Sequence, residues 1–407
     1  MYKAVVGLEV HVELNTKSKM FCSCKNDSDE KQPNVNICPV CVGHPGTLPV
    51  INREAVKKVV MAGLALNCKI AEYSKFDRKN YFYPDLPKGY QISQYDLPFC
   101  KEGFLEIKGN PPSRKASDGR RKIRITRIHL EEDTGRSAHP QGVDYSLIDF
   151  NRAGVPLMEL VTDPDLNSAI DARIFAQELQ LIFRYLGISD ADMEKGQMRV
   201  EVNISLSQSE KLGTKVEIKN LNSFKAVEKS INYEIDRQSD ILKKGQKVIQ
   251  ETRGWNDVKE ITVSQRIKEE SHDYRYFPEP DLPPLSFGKD YAEQIKKEIP
   301  ELPEQKRKRF SKEYGLNENE LEIYISRKDL ADFYENSISK IKLEGNRFQE
   351  ICKLASNYLL SDLLGLVRDL PGQNEEYLFS GPKANVELSP DNFAEFVETI
   401  YEDKISS

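Results

Sequence analysis

Nowhere in the 407 residues does an apolar run approach the roughly 20 residues that a membrane-spanning helix needs. Hydrophobic residues still make up 39% of the chain, which is enough for a packed interior, so a helical membrane protein is excluded and a folded one is not. Positive charge is not in surplus either. The chain has 59 Lys and Arg against 65 Asp and Glu, for a formal net charge of -6. That balance excludes a uniformly basic surface that coats nucleic acid, and any RNA contact must be local. The local basic runs are Arg120, Arg121 and Lys122, and Lys306 to Arg309, although such runs are ordinarily solvated faces. The first residues lack the charged tip, apolar core and small-residue cleavage site of an export signal. Seven cysteines, an odd count with four clustered, do not make a disulfide framework. These absences together place the chain in the cytoplasm, away from membranes.

A chain of this length exceeds what one core usually organises, so two domains are expected. Short period-2 segments alternate with a few helices as far as about Leu285. This predicts an α+β domain on a largely antiparallel sheet over 1–290, followed by an all-helical domain over 291–407. Within the first domain, Ile174, Phe175, Leu179, Ile182, Phe183 and Leu186 predict a helix over 168–186. Ser168 stands at its N-cap and Gly187 just past its end. A second helix is predicted over 223–244, with Gly245 as its stop. The proline-rich stretch Tyr274 to Leu285 should run extended over a surface. Further helices are predicted over 348–367 and 389–401.

In Ala4 to Leu14, the residues Leu8, Val10, Val12 and Leu14 alternate with Glu9, His11 and Glu13. A strand puts the two carboxylates and the imidazole on one face. Gln197 to Leu206 repeats the pattern with Arg199, Glu201, Asn203 and Ser205, and Lys215 to Lys219 does so again around Glu217. A half-wet sheet shows such alternation for no functional reason. A row reading Glu-x-His-x-Glu, however, crowds like charge that calls for a cation. Oxygen ligands with one imidazole suit Mg²⁺ or Mn²⁺ completed by substrate phosphates. A fourth strand pattern ends in Glu131, Glu132 and Asp133 before Gly135. His129, His139 and His272 carry a weaker signal than His11 and fit structural or surface roles.

Cys22-x-Cys24 and Cys38-x-x-Cys41 form two close pairs separated by a polar loop. That spacing lets four thiolates close a tetrahedron around a structural Zn²⁺. Cys68, Cys100 and Cys352 read as small buried hydrophobes.

Several blocks then carry a family resemblance. VGLEVHVEL at the start, Ser74 to Asp96, Arg127 to His139, Ile148 to Leu160, Thr214 to Phe224 and His272 to Leu285 resemble GatB-type amidotransferase subunits, in order along the whole chain. The resemblance implies a cradle-shaped catalytic domain similar to glutamine synthetase, then a helical domain. It implies a carbon–nitrogen ligase in which ATP phosphorylates the side-chain carboxylate of a mischarged Glu-tRNA(Gln) or Asp-tRNA(Asn), and ammonia displaces the phosphate. Matched motif to motif, it points to Glu9, His11 and Glu132 as Mg²⁺ positions, then Glu201, with Glu131 and Glu159 as further candidates. Arg152, Lys79, Arg199 and Lys219 would meet phosphate or the acyl intermediate, unless they serve as structural ion-pair partners. Tyr81, Tyr83, Lys88 and Tyr90 would wall the tRNA 3′ end, since aromatic faces stack on splayed bases.

The chain has no Gly/Ser-rich amidase segment and no convincing Cys-His nucleophile pair. Under the resemblance, ammonia comes from a glutaminase (amidase) partner of the same complex, and a small third partner straps the pair together. The resemblance also implies a tail domain that would begin about where this sequence stops, so the tail is expected to be absent. Two other readings compete: a non-catalytic zinc-containing RNA-binding module, and a free-standing ligase acting on a small amino acid.

Overall fold

The structure is a computed structural model that describes residues 2–27, 29–109, 119–140, 142–209, 211–267, 274–288, 290–365 and 388–405. It divides into two compact units, Met1–Ile299 and Pro300–Ser407. The fold is mixed α and β, with one large, mostly antiparallel sheet and several helices. Among the described residues no helix is long and apolar enough to cross a membrane.

The sheet of the first unit has nine strands. From one edge to the other they are Ile261–Ile267, Glu251–Asn256, Val216–Leu221, Met198–Ser207, Lys3–Glu13, Pro156–Thr162, Arg120–Glu132, Cys100–Lys108 and Lys69–Ile70. Neighbours run antiparallel except Val216–Leu221 and Glu251–Asn256, which are parallel. The helix Phe224–Lys243 supplies the crossover that a parallel pair requires.

Alternation decides which face is which. Leu8, Val10 and Val12 of the central strand are buried, as are Val200, Val202 and Ile204 beside it. The helices Arg53–Ala65, Ala169–Tyr185 and Phe224–Lys243 pack on this apolar side. Ser168 caps Ala169–Tyr185 by accepting from Asp171 N, and Ser223 caps Phe224–Lys243 by accepting from Ala226 N. Each cap satisfies an amide that the first helical turn leaves without a partner. Gly187 and Gly245 follow these helices in the left-handed region, at φ 64 and 71. Both helices therefore begin and end as their sequence signals predict.

The proline-rich stretch does run extended, where it is described, and Phe277–Pro278 pairs with the strand Asp77–Asn80. His272 lies outside the described residues. The division falls after Ile299 and not at 290, because the short helix Tyr291–Lys296 belongs to the first unit. Phe287 stacks on Tyr291 at 4.9 Å between centroids, and Lys57 pairs with Glu298 at 2.6 Å.

In the second unit, described residues form helices around a core that includes Phe310, Tyr324, Leu330, Tyr334, Ile351 and Val397. The Gly345–Asn357 helix loosens into a π-helical turn at Tyr358–Leu363, and the end of the stretch predicted to Val367 lies outside the described residues. Pro390–Tyr401 is capped by Ser389. The basic runs are engaged within the fold. Arg121 pairs with Asp171 and Lys306 with Asp332, while Arg309 binds Glu301 and Glu335.

Candidate active site

Opposite the helices the sheet is polar, and its register sets the chemistry. Arg199, His11, Glu159 and His129 are direct cross-strand partners, one on each of four adjacent strands. Direct partners share a face with Cβ atoms about 5 Å apart. The row therefore brings together groups that are far apart in sequence. His11 Nε2 lies 3.3 Å from Glu159, and His129 Nε2 lies 3.4 Å from Glu159 and 3.5 Å from Glu131. Ligand atoms of His11, Glu131 and Glu159 all fall within 4.8 Å of one another.

This cluster is buried and strongly charged. Burial alone would lower the His11 imidazole, yet Glu159, helped by Glu201 and Glu131, lifts it to about 8. Burial opposes ionisation of Glu159, but His129 and His11 hold its carboxyl well below the usual range. Glu131 is also held low against burial, by His129 and by the charge of Lys79. Lys79 is itself desolvated, and the two acids raise it despite that. Its Nζ sits 4.9 Å from the centre of the Tyr274 ring and 5.9 Å from that of Tyr81.

One step along the central strand lies a second cluster, Glu9, Glu201 and Glu217, whose oxygens also come within 4.8 Å of one another. Lys219 already supplies a cation there, 2.8 Å from Glu201 and 3.6 Å from Glu217. Asn203 donates to Glu9 at 2.7 Å.

At the strand ends stands an ion quartet. Arg152 binds Glu13 at 2.9 Å and Asp133 at 2.8 Å, and Arg199 reaches Asp133 at 3.1 Å. Burial and then the neighbouring Asp133 carboxylate push Glu13 up to about 7. Asp133 is held far below its ordinary range by the two arginines, against burial.

The four cysteines meet away from this face. The Sγ atoms of Cys22, Cys24, Cys38 and Cys41 lie within 4.8 Å of one another, and a tetrahedron of Zn–S bonds needs edges of roughly 3.8 Å. The cluster could therefore hold a metal. A hydrogen bond with Cys22 draws the Cys41 thiol down to about 5 and pushes Cys22 up. Gly43 closes the knuckle at φ +71, where a Cβ would lie 2.5 Å from Lys88 Cγ. Only glycine fits that turn.

With both acidic clusters and the cysteine knuckle placed, comparison with known proteins gives a family. The model of the GatB/GatE catalytic domain matches residues 4–293. The chain belongs to the GatB/GatE family. Similar relatives are named as the B-type subunit of aspartyl/glutamyl-tRNA(Asn/Gln) amidotransferase. One from Thermotoga maritima is 48% identical over 411 residues, covering 100% of this chain and 80% of the relative. One from Caldicellulosiruptor saccharolyticus is 47% identical over 408 residues with the same coverage. A third, from Persephonella marina, is 48% identical over 408 residues, which is 100% of this chain and 81% of the relative.

As a member of this family, the chain distributes its predicted site residues unevenly. Glu9, His11 and Glu132 do not converge. His11 joins Glu131 and Glu159, while Glu9 joins Glu201 and Glu217. Strand alternation sends Glu132 the other way, where it bonds Lys88 Nζ and accepts from Ile92 N at 2.9 Å. Lys88 is thereby committed to an ion pair, and Tyr90 lies under the Arg78 guanidinium at 4.2 Å. Arg152 and Arg199 serve Asp133. Tyr81 and Tyr83 pack edge to face at 6.2 Å, and Tyr83 is exposed.

His129, for which the sequence signal is weak, stands as an ion-pair partner of Glu131 and Glu159, and the sequence does not single out Tyr274 and Tyr276. Tyr276 stacks on Tyr95 at 4.3 Å, beside Tyr274. The alternation of the two tyrosines around Arg275 was the available signal.

Proposed function

We propose that the chain activates the side-chain carboxylate of mischarged Glu-tRNA(Gln) or Asp-tRNA(Asn) by phosphorylation from ATP, and then converts it to the amide with ammonia. It does so as the B-type subunit of a glutamine-dependent amidotransferase. The reading rests on family membership, on the relatives' name, and on one observation: His11, Glu131 and Glu159 converge on the polar face, where the acids also feel the charge of Lys79. A carboxylate resists attack by ammonia, and phosphorylation gives it a leaving group. That transfer depends on positioning and charge neutralisation more than on covalent help from the protein.

The donor set fits a hard divalent ion. It offers one imidazole and two carboxylates, and the His11 ring leaves Nδ1 buried without a hydrogen-bond partner among the described residues. Mg²⁺ held by His11, Glu131 and Glu159 would offset charge on the nucleotide phosphates. Glu9, Glu201 and Glu217 make a second candidate set, already partly neutralised by Lys219. Glu132 is better read as a support for Lys88 than as a ligand.

Lys79 is the cation best placed for a developing acyl phosphate, since its ammonium lies against the Tyr274 ring and is coupled by charge to Glu131 and Glu159. Burial keeps the Tyr81 phenol protonated and pushes Tyr276 up to about 12, so both can donate hydrogen bonds at neutral pH. With the exposed Tyr83 they form a rim suited to stacking the tRNA 3′ end. Arg152 and Arg199 brace the strand ends. The cysteine cluster is read as a closed, structural zinc site.

The first unit corresponds to the glutamine synthetase-like cradle of the family and the second to its helical domain. Ammonia enters from a glutaminase partner, with the small third partner completing the complex. The test uses that complex with Mg²⁺, ATP and glutamine. Amide formation and acceptor-stimulated ATP cleavage should require mischarged tRNA and fail with free glutamate. Equal turnover with free glutamate would instead identify a small-molecule ligase, and no ATP cleavage under any condition would leave a binding module.

A further inference from the structure

Lys19 is fully buried, more deeply than any other lysine or arginine among the described residues, and the polar face does not account for it. Its Nζ donates to the Phe150 carbonyl at 3.2 Å and lies 3.9 Å from Cys41 Sγ. No carboxylate is in salt-bridge range of it among the described residues. Glu132 gives one oxygen, Oε1, to Lys88 Nζ and the Ile92 amide, and its Oε2 lies beside Gly154 outside salt-bridge range of Lys19. An ammonium placed in such a site without a counter-ion is strongly disfavoured. Besides the Phe150 carbonyl, the polar atom within reach of Lys19 Nζ is the Cys41 sulfur.

Four thiolates around a divalent ion carry surplus negative charge even after the metal is counted. A cation just outside the sulfur shell offsets that surplus, and an N–H aimed at one sulfur fixes that ligand's orientation. We propose that Lys19 is a positioning residue of the cysteine metal centre, an outer ammonium that balances the tetrathiolate charge and ties it to the Phe150 carbonyl. The proposal rests on the reading that the four cysteines hold a metal.

The balance works in both directions. When the metal is lost and the thiols take up protons, Lys19 loses its counter-charge. The chain around it supports the link, since Lys19 N bonds Cys24 O at 3.0 Å and Met20 N bonds Gly154 O at 2.7 Å. The backbone that carries Lys19 is therefore held between the first cysteine pair and the segment that follows Phe150.

The test compares the full wild-type chain with Lys19→Met, which keeps the aliphatic stem and removes the charge. Competition against a chromogenic chelator should show zinc held about 10- to 100-fold more weakly in the variant. The metal-free variant should melt no lower than metal-free wild type, because it no longer buries an unbalanced ammonium. Affinity within about twofold of wild type would overturn the proposal, since outer-shell partners normally cost more. So would an equal drop in melting temperature for the loaded and metal-free forms, which is the mark of a packing role alone.

If Lys19→Met does not fold, amine labelling of the wild-type chain decides. Lys19 should be protected when zinc is bound and modified once it is chelated, and unchanged labelling overturns the proposal. Wild-type chain that binds no metal would sink the metal reading itself, and the Lys19 role with it. Unchanged affinity in the variant would sink only the latter.

Discussion

Glu131 and Glu132 are adjacent in the chain and work on opposite sides of the sheet. Glu131 accepts from Ser93 Oγ at 2.9 Å beside His129, whereas Glu132 accepts from the Ile92 amide and pairs with Lys88. The pair gives a sharp contrast for mutagenesis. Glu131→Gln should lower Mg²⁺ affinity and amide formation by about 10- to 100-fold, the usual cost of weakening a metal set. Glu132→Gln should leave Mg²⁺ affinity within a few-fold and destabilise the fold by about 2 kcal/mol, because Lys88 loses a buried anion. Calorimetric Mg²⁺ titration and thermal melting on both variants check this. The reverse pattern would return Glu132 to the metal site.

That contrast also shows where the sequence is readable and where it is not. The alternation in Ala4 to Leu14 has a period of two, so Glu9, His11 and Glu13 share a face whatever surrounds them. Ser168 and Ser223 mark helix starts through bonds to amides three residues on. Such signals are local. The partnership of His11 with Glu159 depends on which strands become neighbours and in what register, and no local pattern carries that. In Glu131-Glu132-Asp133, three consecutive acids, strand alternation separates the first two. The third is taken by Arg152 and Arg199 from other strands and turns. Tyr274 joins Lys79 for a similar reason, through the pairing of Phe277–Pro278 with Asp77–Asn80.

Metal binding should depend on pH through His11. In the metal-free chain the imidazole keeps its proton up to about 8, and a metal accepts only the neutral ring. Below that pH, binding has to expel a proton. Mg²⁺ affinity should therefore rise between pH 6 and 8 by at most about tenfold per unit and flatten above. Titration in buffers of different ionisation enthalpy should detect the released proton. His11→Gln should bind more weakly and lose the slope, and an unchanged slope would remove His11 from the ligand set.

Lys79→Met should act on the reaction more than on the fold. Its ammonium is held by the charge of Glu131 and Glu159 and by the Tyr274 ring. Removing one preorganised charge from a transferring phosphoryl or acyl group typically costs about 100-fold in rate. We expect that loss in kcat for amide formation, with KM for mischarged tRNA changing by much less. Melting temperature should fall in the metal-free chain, where Glu131 and Glu159 lose a balancing charge, and fall less with Mg²⁺ present, since the ion then offsets the same acids. A variant with normal kcat would reduce Lys79 to a partner of the tyrosines.

The cysteine knuckle reaches the ion quartet through Asn151. Its Oδ1 accepts from the amides of Val35 and Asn36, both at 2.9 Å, and its Nδ2 donates to Gln32 O at 2.7 Å. Asn34 in turn accepts from Phe150 N at 2.8 Å. The loop between the two cysteine pairs thus grips the segment that ends in Arg152. Chelating the metal should raise hydrogen exchange at Val35, Asn36 and Phe150 together, while amides in the helix Ala169–Tyr185 keep their protection. Asn151→Ala should reproduce that local opening with the metal still bound, at a cost of about 2 to 3 kcal/mol for the bonds left unmade. Amide formation should fall in both cases, because a freed Arg152 no longer holds Glu13 and Asp133. If exchange rose only at the cysteines after chelation, the knuckle would be a local staple with no hold on the catalytic sheet.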